Sequence, residues 1–558
     1  MSGRNLLIIG IDGATLDLIE PWALEGKLPT FAKLIEGGAG GPLLSTVPPL
    51  TSPAWISALT GVNPGRHNIY DFFTFVEGTY RRRPVNSSDI RAELLWEMVN
   101  RSGMRAGILN APLAYPVQPL DGFLVSGMLT PERAKDHIYP PELKKELDAS
   151  VPGYRFTEDF RLIVAGDLEG LLEDIVEVTE KTFQVARYLL RSKKPELFFV
   201  LFDGMDRVLH FYWKFMDARH PRYPGPSGSP FAEAVLSYHQ LIDRILSEFL
   251  DQAGDETDVI VLSDHGFGPL HKDVYITNWL VERGWLVLEE RSMLEDALKK
   301  GAARALSRLV QAKRRLEPFG LARLLASLVP QRLKDNAASV LDMPIRPVWE
   351  RTKAFVPSSS GRAIRINLKG REPRGVVSPG KEYERLVEEI AGALSSLCDP
   401  ETGESIVEKV YRKEEVFSGH CSDNAPDIVI ELKGTYFLQE GLAKDLILPS
   451  RLGNSDKSGV HRPEGILFLW GDGVKKGARL AGASILDVTP TALYRLGLPV
   501  PRGLDGRILF EAFEQGFVER FPPRYDDTGD VSRTRQLYQY TDEEADAIGR
   551  RLKGLNYI

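Results

Sequence analysis

Asp258-Val-Ile-Val-Leu-Ser-Asp264-His265-Gly266 runs a β-rich apolar stretch straight into an acid, an imidazole and a glycine. A strand buried on both faces of a parallel sheet reads this way, and the carboxyl ends of such strands are where open α/β sheets place their sites. Asp beside His pairs a hard oxygen donor with a borderline nitrogen donor, a combination that suits Zn²⁺ or Mn²⁺. The same two residues also make an ordinary strand-end turn with a hydrogen-bonded histidine, so their neighbours must decide.

Upstream, short β-runs alternate with helical stretches: Asn5–Asp12, a helical Leu16–Ile35, Arg105–Asn110, a helix near Leu171–Leu190, Leu197–Asp203 and a helix at Phe231–Leu250. That alternation predicts an α/β fold, a doubly wound, mostly parallel sheet with helices on both faces. Downstream, Arg291–Arg351 changes to leucine-rich helical sequence, with Leu294, Leu298, Leu306, Leu309, Leu321, Leu325 and Leu328 at helical spacing and 13 Lys and Arg against 6 Asp and Glu. It reads as a helical insertion with one apolar face and a basic one, or as a cap over an anionic substrate or a surface for a membrane or partner. Turn-rich sequence at Lys353–Leu368, a helix at Tyr383–Leu397 and a strand at Asp427–Leu432 extend it into an α+β unit. Gly465–Gly471 and Ile485–Leu496 then return strand and helix to the first sheet. The expected organisation is a first part of the core at 1–285, a helical and α+β insertion at 286–435, a return to the core at 436–515, and a polar C-terminal tail at 516–558.

The 558-residue length exceeds one compact core, while 43% hydrophobic and 26% charged residues are ordinary globular proportions. A net charge of -7 gives no chain-wide basic footprint, so no specific nucleic-acid binding is expected. No window approaches the roughly 18 uninterrupted apolar residues of a membrane span. Cys398 and Cys421 are the only cysteines, too few for a disulfide framework, and a reducing cytoplasm is the expected compartment. Nothing in the sequence signals an oligomeric state.

Several further residues combine with Asp264 and His265. Asp12 ends the first strand before a glycine, either to cap the next helix or to meet a ligand. Thr51, in Thr51-Ser52-Pro53-Ala54-Trp55, stands at a helix start; it is a plain N-cap, or a hydroxyl nucleophile favoured by the positive helix end. Asp206 and His210 are spaced i and i+4 after the apolar run Leu197–Phe202, able to grip one ion or to form a surface pair, with Asp203 a competing ligand. His461 precedes the strand-like Ile466–Trp470. Of the nine histidines, only His210, His265 and His461 stand at strand edges in this way.

Taken in order, these motifs resemble the alkaline phosphatase superfamily, and within it the type I phosphodiesterase/nucleotide pyrophosphatase branch. The resemblance runs through Ile-Ile-Gly-Ile-Asp12-Gly, Thr51-Ser-Pro-Ala-Trp, Thr60-Gly-Val-Asn-Pro-Gly-Arg-His67, Asp206-Arg-Val-Leu-His210, Ser263-Asp264-His265-Gly266, Gly459-Val-His461 and Asp487-Val-Thr-Pro-Thr. It implies a metal-dependent phosphoric ester hydrolase acting on a small phosphorylated substrate, with two divalent ions, Zn²⁺ first and Mn²⁺ second. Asp12, Thr51, Asp264 and His265 would hold one ion, and Asp206, His210 and His461 the other. Thr51 would attack phosphorus, giving a phospho-threonyl or nucleotidyl-threonyl enzyme that is then hydrolysed. The branch carries Asn three residues after the nucleophile, where this chain has Ala54, which weakens a nucleotide-diesterase reading more than a hydrolase reading. The chain is also similar to a prokaryotic group of predicted phosphohydrolases or phosphomutases, through Lys353-Ala-Phe, Asn367-Leu-Lys369-Gly-Arg371-Glu-Pro and Ala425-Pro-Asp427. That similarity makes a phosphomutase the alternative activity, with a binding protein that has lost chemistry as a third reading. Lys369, Arg371 and Arg374 are candidate substrate clamps, or a solvated basic turn.

Overall fold

The computed structural model describes residues 5–225, 228–254, 256–289, 345–358, 362–450, 457–527, 533 and 535–555. The leucine-rich basic stretch from Leu294 to Leu328 lies outside the described residues.

A ten-stranded sheet organises the larger part of the chain. Its centre is five parallel strands in the spatial order Thr257–Leu262, Asn5–Ile11, Leu197–Phe202, Ala106–Ala111, Gly122–Ser126. Almost every residue of the three innermost strands is buried, which is why their sequences are continuously apolar rather than alternating. Glu464–Trp470 adds antiparallel beside Thr257–Leu262, pairing Leu467 with Leu262, and Ala39–Leu44 adds antiparallel beyond it. Helices Leu168–Lys193, Gly204–Met216, Ala234–Ala253 and Thr51–Thr60 contribute to the hydrophobic core around this sheet. Doubly wound α/β architecture with a mostly parallel sheet is therefore what the chain adopts.

The single helix expected over Leu16–Ile35 is two, Leu16–Leu24 and Pro29–Gly37. Gly26, at φ 75°, turns the chain, and Pro29 opens the second helix at a position where its missing N–H costs nothing. The last helix, Asp542–Gly554, is closed at its start by a Thr541/Glu544 capping box and buries Ile548 and Leu552 in the main core.

A second hydrophobic cluster, separate from the first, includes Val274, Trp279, Ile366, Leu386, Ile430 and Ile447. Its four-stranded sheet runs Ala354–Phe355, Ala363–Ile366, Ile428–Leu432, Val407–Arg412, with helix Lys381–Ser395 packed against the last strand. A three-stranded sheet, Tyr436–Gln439, Lys272–Tyr275, Ile447–Pro449, joins this unit to the chain leaving the main sheet.

Candidate active site

Three adjacent parallel strands end together, and each delivers an acid. Asp12 follows Asn5–Ile11, Asp206 lies in the first turn of the helix after Leu197–Phe202, and Asp264 with His265 follows Thr257–Leu262. His210 comes from the same helix as Asp206, one turn on, its Nε2 3.3 Å from Asp206 Oδ1. His461 arrives through a short antiparallel ribbon, Gly266–Pro269 against Gly459–Arg462, in which Phe267 pairs with His461. The ribbon stacks the His461 ring on that of His265, centroids 3.7 Å apart.

Two buried groups result: Asp12, Asp264 and His265 in one, Asp206, His210 and His461 in the other, the donor atoms of each lying within 4.8 Å of one another. In both, every carboxylate has one oxygen held by the protein and the other turned to imidazole nitrogen. Trp55 Nε1 donates to Asp12 Oδ2 at 3.2 Å and the Gly13 N–H to Asp264 Oδ1 at 3.3 Å. The remaining oxygens, Asp12 Oδ1 and Asp264 Oδ2, accept no hydrogen bond and lie 3.5 and 3.3 Å from His265 Nε2. Arg207 Nη1 donates to Asp206 Oδ2 at 2.6 Å, and Asp206 Oδ1 faces His461 Nε2 at 3.0 Å.

The imidazole tautomers are fixed by backbone. His210, His461 and His265 direct Nδ1 at the carbonyls of Gly459 (2.9 Å), Pro49 (3.1 Å) and Gly266 (3.2 Å). A carbonyl can only accept, so each Nδ1 carries the hydrogen and each Nε2 presents a lone pair. His210 Nε2 and His461 Nε2 then face each other at 3.0 Å. A proton does not bridge them at neutral pH, because burial holds both rings down to about 4. Lone pairs and unsatisfied carboxylate oxygens converging in a buried space could hold a divalent cation, and the Nδ1 contacts would then serve as outer-shell supports.

The electrostatics agree. Burial, and then the neighbouring Asp264 and Asp206 charges, push the Asp12 carboxyl well up; burial and Asp206 do the same to Asp264. Burial opposes the Asp206 charge too, yet that carboxyl is held well below its usual range, and with both imidazoles neutral the Arg207 guanidinium is the cation that offsets it.

Thr51 is the first residue of helix Thr51–Thr60 and is fully buried. The N-cap position belongs to Leu50, and no side chain caps this helix. The Thr51 hydroxyl instead lies 3.4 Å from His265 Nε2, beside the first group. Phe267 closes the other side, its ring edge-on to His210 with centroids 4.7 Å apart. Gly13, at φ 79°, permits this closure: a Cβ there would sit 3.0 Å from the Phe267 ring.

All seven residues named as ligands thus converge. Asp203 does not join them; it stands at the N-cap of Gly204–Met216, its carboxyl pushed up to about 7 by burial and by Glu158. Lys369, Arg371 and Arg374 lie in the second unit and bond to none of the seven. Arg371 grips Asp427 through both terminal nitrogens, at 2.8 and 2.6 Å, and also bonds Glu372. Lys369 donates to Ser378, and Arg374 to Glu350. Sequence reasoning passed over Arg207 and Phe267, although each adjoins a named ligand or follows one by two residues.

A buried pair of carboxylate-imidazole groups beside a helix-start hydroxyl, on the carboxyl edge of a doubly wound sheet, defines a metal-dependent phosphoester hydrolase of the alkaline phosphatase superfamily. The chain belongs to the type I phosphodiesterase / nucleotide pyrophosphatase family, whose profile matches residues 6–463. Among solved structures, phosphonoacetate hydrolase from Sinorhizobium meliloti 1021 is similar in fold, with a TM-score of 0.52 at 15% identity, covering 88% of this chain and 96% of that one. Murine ectonucleotide pyrophosphatase / phosphodiesterase 5 aligns with a TM-score of 0.48 at 14% identity, over 91% of this chain and 98% of that one. No curated protein matches the sequence. Among the described residues, no helix is long and apolar enough to cross a membrane.

Proposed function

We propose that this protein hydrolyses phosphodiester, pyrophosphate or phosphomonoester bonds with Thr51 as nucleophile and two divalent ions in the paired groups. The observation that carries the reading is the Thr51 hydroxyl, buried, released from capping and 3.4 Å from His265 Nε2. Asp12, Asp264 and His265, with Thr51, would hold one ion, and Asp206, His210 and His461 the other. Three imidazole donors among the ligands favour Zn²⁺, with Mn²⁺ next. When bound, such ions withdraw charge from phosphoryl oxygens and acidify the attacking hydroxyl.

The chain's own part is to position and to exclude water. The start of helix Thr51–Thr60 presents backbone N–H groups and a positive dipole end to an incoming phosphoryl group. Ala54 gives that first turn no side-chain donor, so stabilisation of the phosphoryl oxygens falls to the ions and nearby cations. Phe267 and the His265–His461 stack screen the groups from solvent, which strengthens every charge interaction inside. Lys369, Arg371 and Arg374 are left out of the proposed site because their donors serve the second unit. Cys398 is exposed and Cys421 buried, and neither is in a disulfide; a reducing cytoplasm is the compartment we propose.

Metal analysis followed by assay on mono- and diester nitrophenyl phosphates tests this reading. Two ions per chain and metal-dependent release of nitrophenol are expected. Interconversion of isomeric sugar phosphates without net phosphate release would replace the hydrolase with a phosphomutase.

A further inference from the structure

The second unit contributes one side chain that none of these roles uses. Arg362 directly precedes strand Ala363–Ile366, is buried, and its Nε has no hydrogen-bond partner. Its backbone sits at φ 42°, in the left-handed region that a non-glycine residue keeps only where its surroundings impose it. The guanidinium packs over Phe437 at 5.8 Å from the ring centroid, and Lys457 Nζ lies over the same ring at 5.5 Å. Lys457 ties this cluster to the paired groups, because the N–H of the next residue, Ser458, donates to the His210 carbonyl at 2.6 Å, and the guanidinium of Arg462, next to His461, lies against Gly434, three residues before Phe437.

The acids nearby do not take up this charge. Glu431 influences Arg362 but accepts from Tyr411 at 2.9 Å. Asp273 influences Lys457 and accepts from Gln439 at 3.2 Å, Asp17 influences Arg462 from an exposed position, and Asp206 is turned to its imidazoles. Among the described residues no carboxylate pairs with Arg362; a buried guanidinium left so is costly to keep charged, and a ring-stacked guanidinium still offers its edge N–H groups to a planar or tetrahedral anion.

We propose that Arg362, with Lys457 and Arg462 beside it, forms an anion subsite next to the paired groups, and that the substrate carries a second anionic group, a carboxylate or further phosphate, besides the phosphoryl group that reacts. The proposal rests on the phosphoester-hydrolase reading and narrows its substrate class to dianionic molecules with one charged end remote from the reacting bond.

The test compares kcat/KM of the metal-loaded full chain on n-alkyl phosphates, ω-carboxyalkyl phosphates, ω-phosphoalkyl phosphates and uncharged ω-carbamoylalkyl phosphates of matched length, with nitrophenyl phosphate alongside. One charged series should be preferred over its alkyl and carbamoyl counterparts by about tenfold or more, and which series it is identifies the second group. Arg362→Gln should bring that ratio close to one, chiefly through KM. Equal loss on charged and uncharged tails, leaving the ratio intact, would overturn the subsite. So would a wild-type enzyme that turns over nitrophenyl phosphate but treats carboxylate, phosphate and carbamoyl tails alike, a comparison that needs no variant to fold. Absence of turnover on all of these esters and on bis(nitrophenyl) phosphate as well would overturn the hydrolase reading itself.

Discussion

The two carboxylate-imidazole groups use the same residue types and handle charge in opposite ways. Asp12 and Asp264 share one imidazole, and burial pushes both carboxyls up, helped by the Asp264 and Asp206 charges at Asp12 and by the Asp206 charge at Asp264. Asp206 faces two neutral imidazoles but has the buried Arg207 guanidinium at 2.6 Å, and its carboxyl is held down despite the same burial. The second group is thus partly neutralised by protein. The first depends on a cation from outside, and it is also the one beside Thr51. Metal removal should therefore disturb the nucleophile's side of the site more than the far side.

The largest expected effect falls where that asymmetry meets chemistry. Thr51→Ala should lower turnover by about 10³-fold or more, with Thr51→Ser recovering a substantial part, since nucleophile removal abolishes the covalent route while binding persists. Metal-dependent hydrolysis surviving in Thr51→Ala would remove the nucleophile assignment. Next comes the internal neutraliser. Arg207→Met leaves Asp206 buried beside imidazoles alone and should destabilise the metal-free protein by about 3–5 kcal/mol in urea unfolding. A loss below about 1 kcal/mol would mean that the imidazoles alone suffice and that the two groups are not different in kind.

Asp264→Asn sharpens the comparison further, because its effects should have opposite signs in the two states. In the metal-free chain it removes one of two repelling buried carboxylates and should stabilise by about 1–3 kcal/mol; with metal added, the variant should bind fewer ions, hydrolyse little and gain less thermal stability than wild type. Retained metal stoichiometry would end its proposed ligand role.

The same contrast explains what the sequence could and could not disclose. The strand ends were legible because burial on both faces makes Leu197–Phe202 and Val259–Leu262 continuously apolar, and because Asp206 and His210 show helical spacing. Such signals are local. Arg207's task depends on which oxygen of its neighbour is already engaged, and that is a property of packing. Arg371 shows the reverse: a basic turn that looks free to clamp substrate is claimed by Asp427, 56 positions away, through a pairing that no local pattern announces. Arg362 carries no motif at all, since its place over Phe437 is set by packing between two strands of the second unit that lie more than 70 residues apart in sequence. The break in the expected Leu16–Ile35 helix was legible from Gly26 and Pro29, but three-to-four apolar spacing continues across both pieces and masks it.

Two imidazoles away from both groups set the smallest effect and serve as its control. His67, bonded through Nε2 to the Ser57 hydroxyl at 2.9 Å on the nucleophile's helix, is held down to about 3 by burial, and His239 to about 4 for the same reason. Each has a folded value below its unfolded value of about 6.5, so between those values the unfolded chain binds more protons. Their contribution is complete above about pH 6.5 and is lost as pH falls toward the folded values, amounting to about 1 kcal/mol per imidazole at about pH 5.5. Urea midpoints measured from neutral pH downward should decline in that window, and His239→Gln should flatten the decline. Because His239 contacts neither paired group, a decline in the metal-free protein that is unchanged in His239→Gln would show that burial of this imidazole does not set the acid sensitivity.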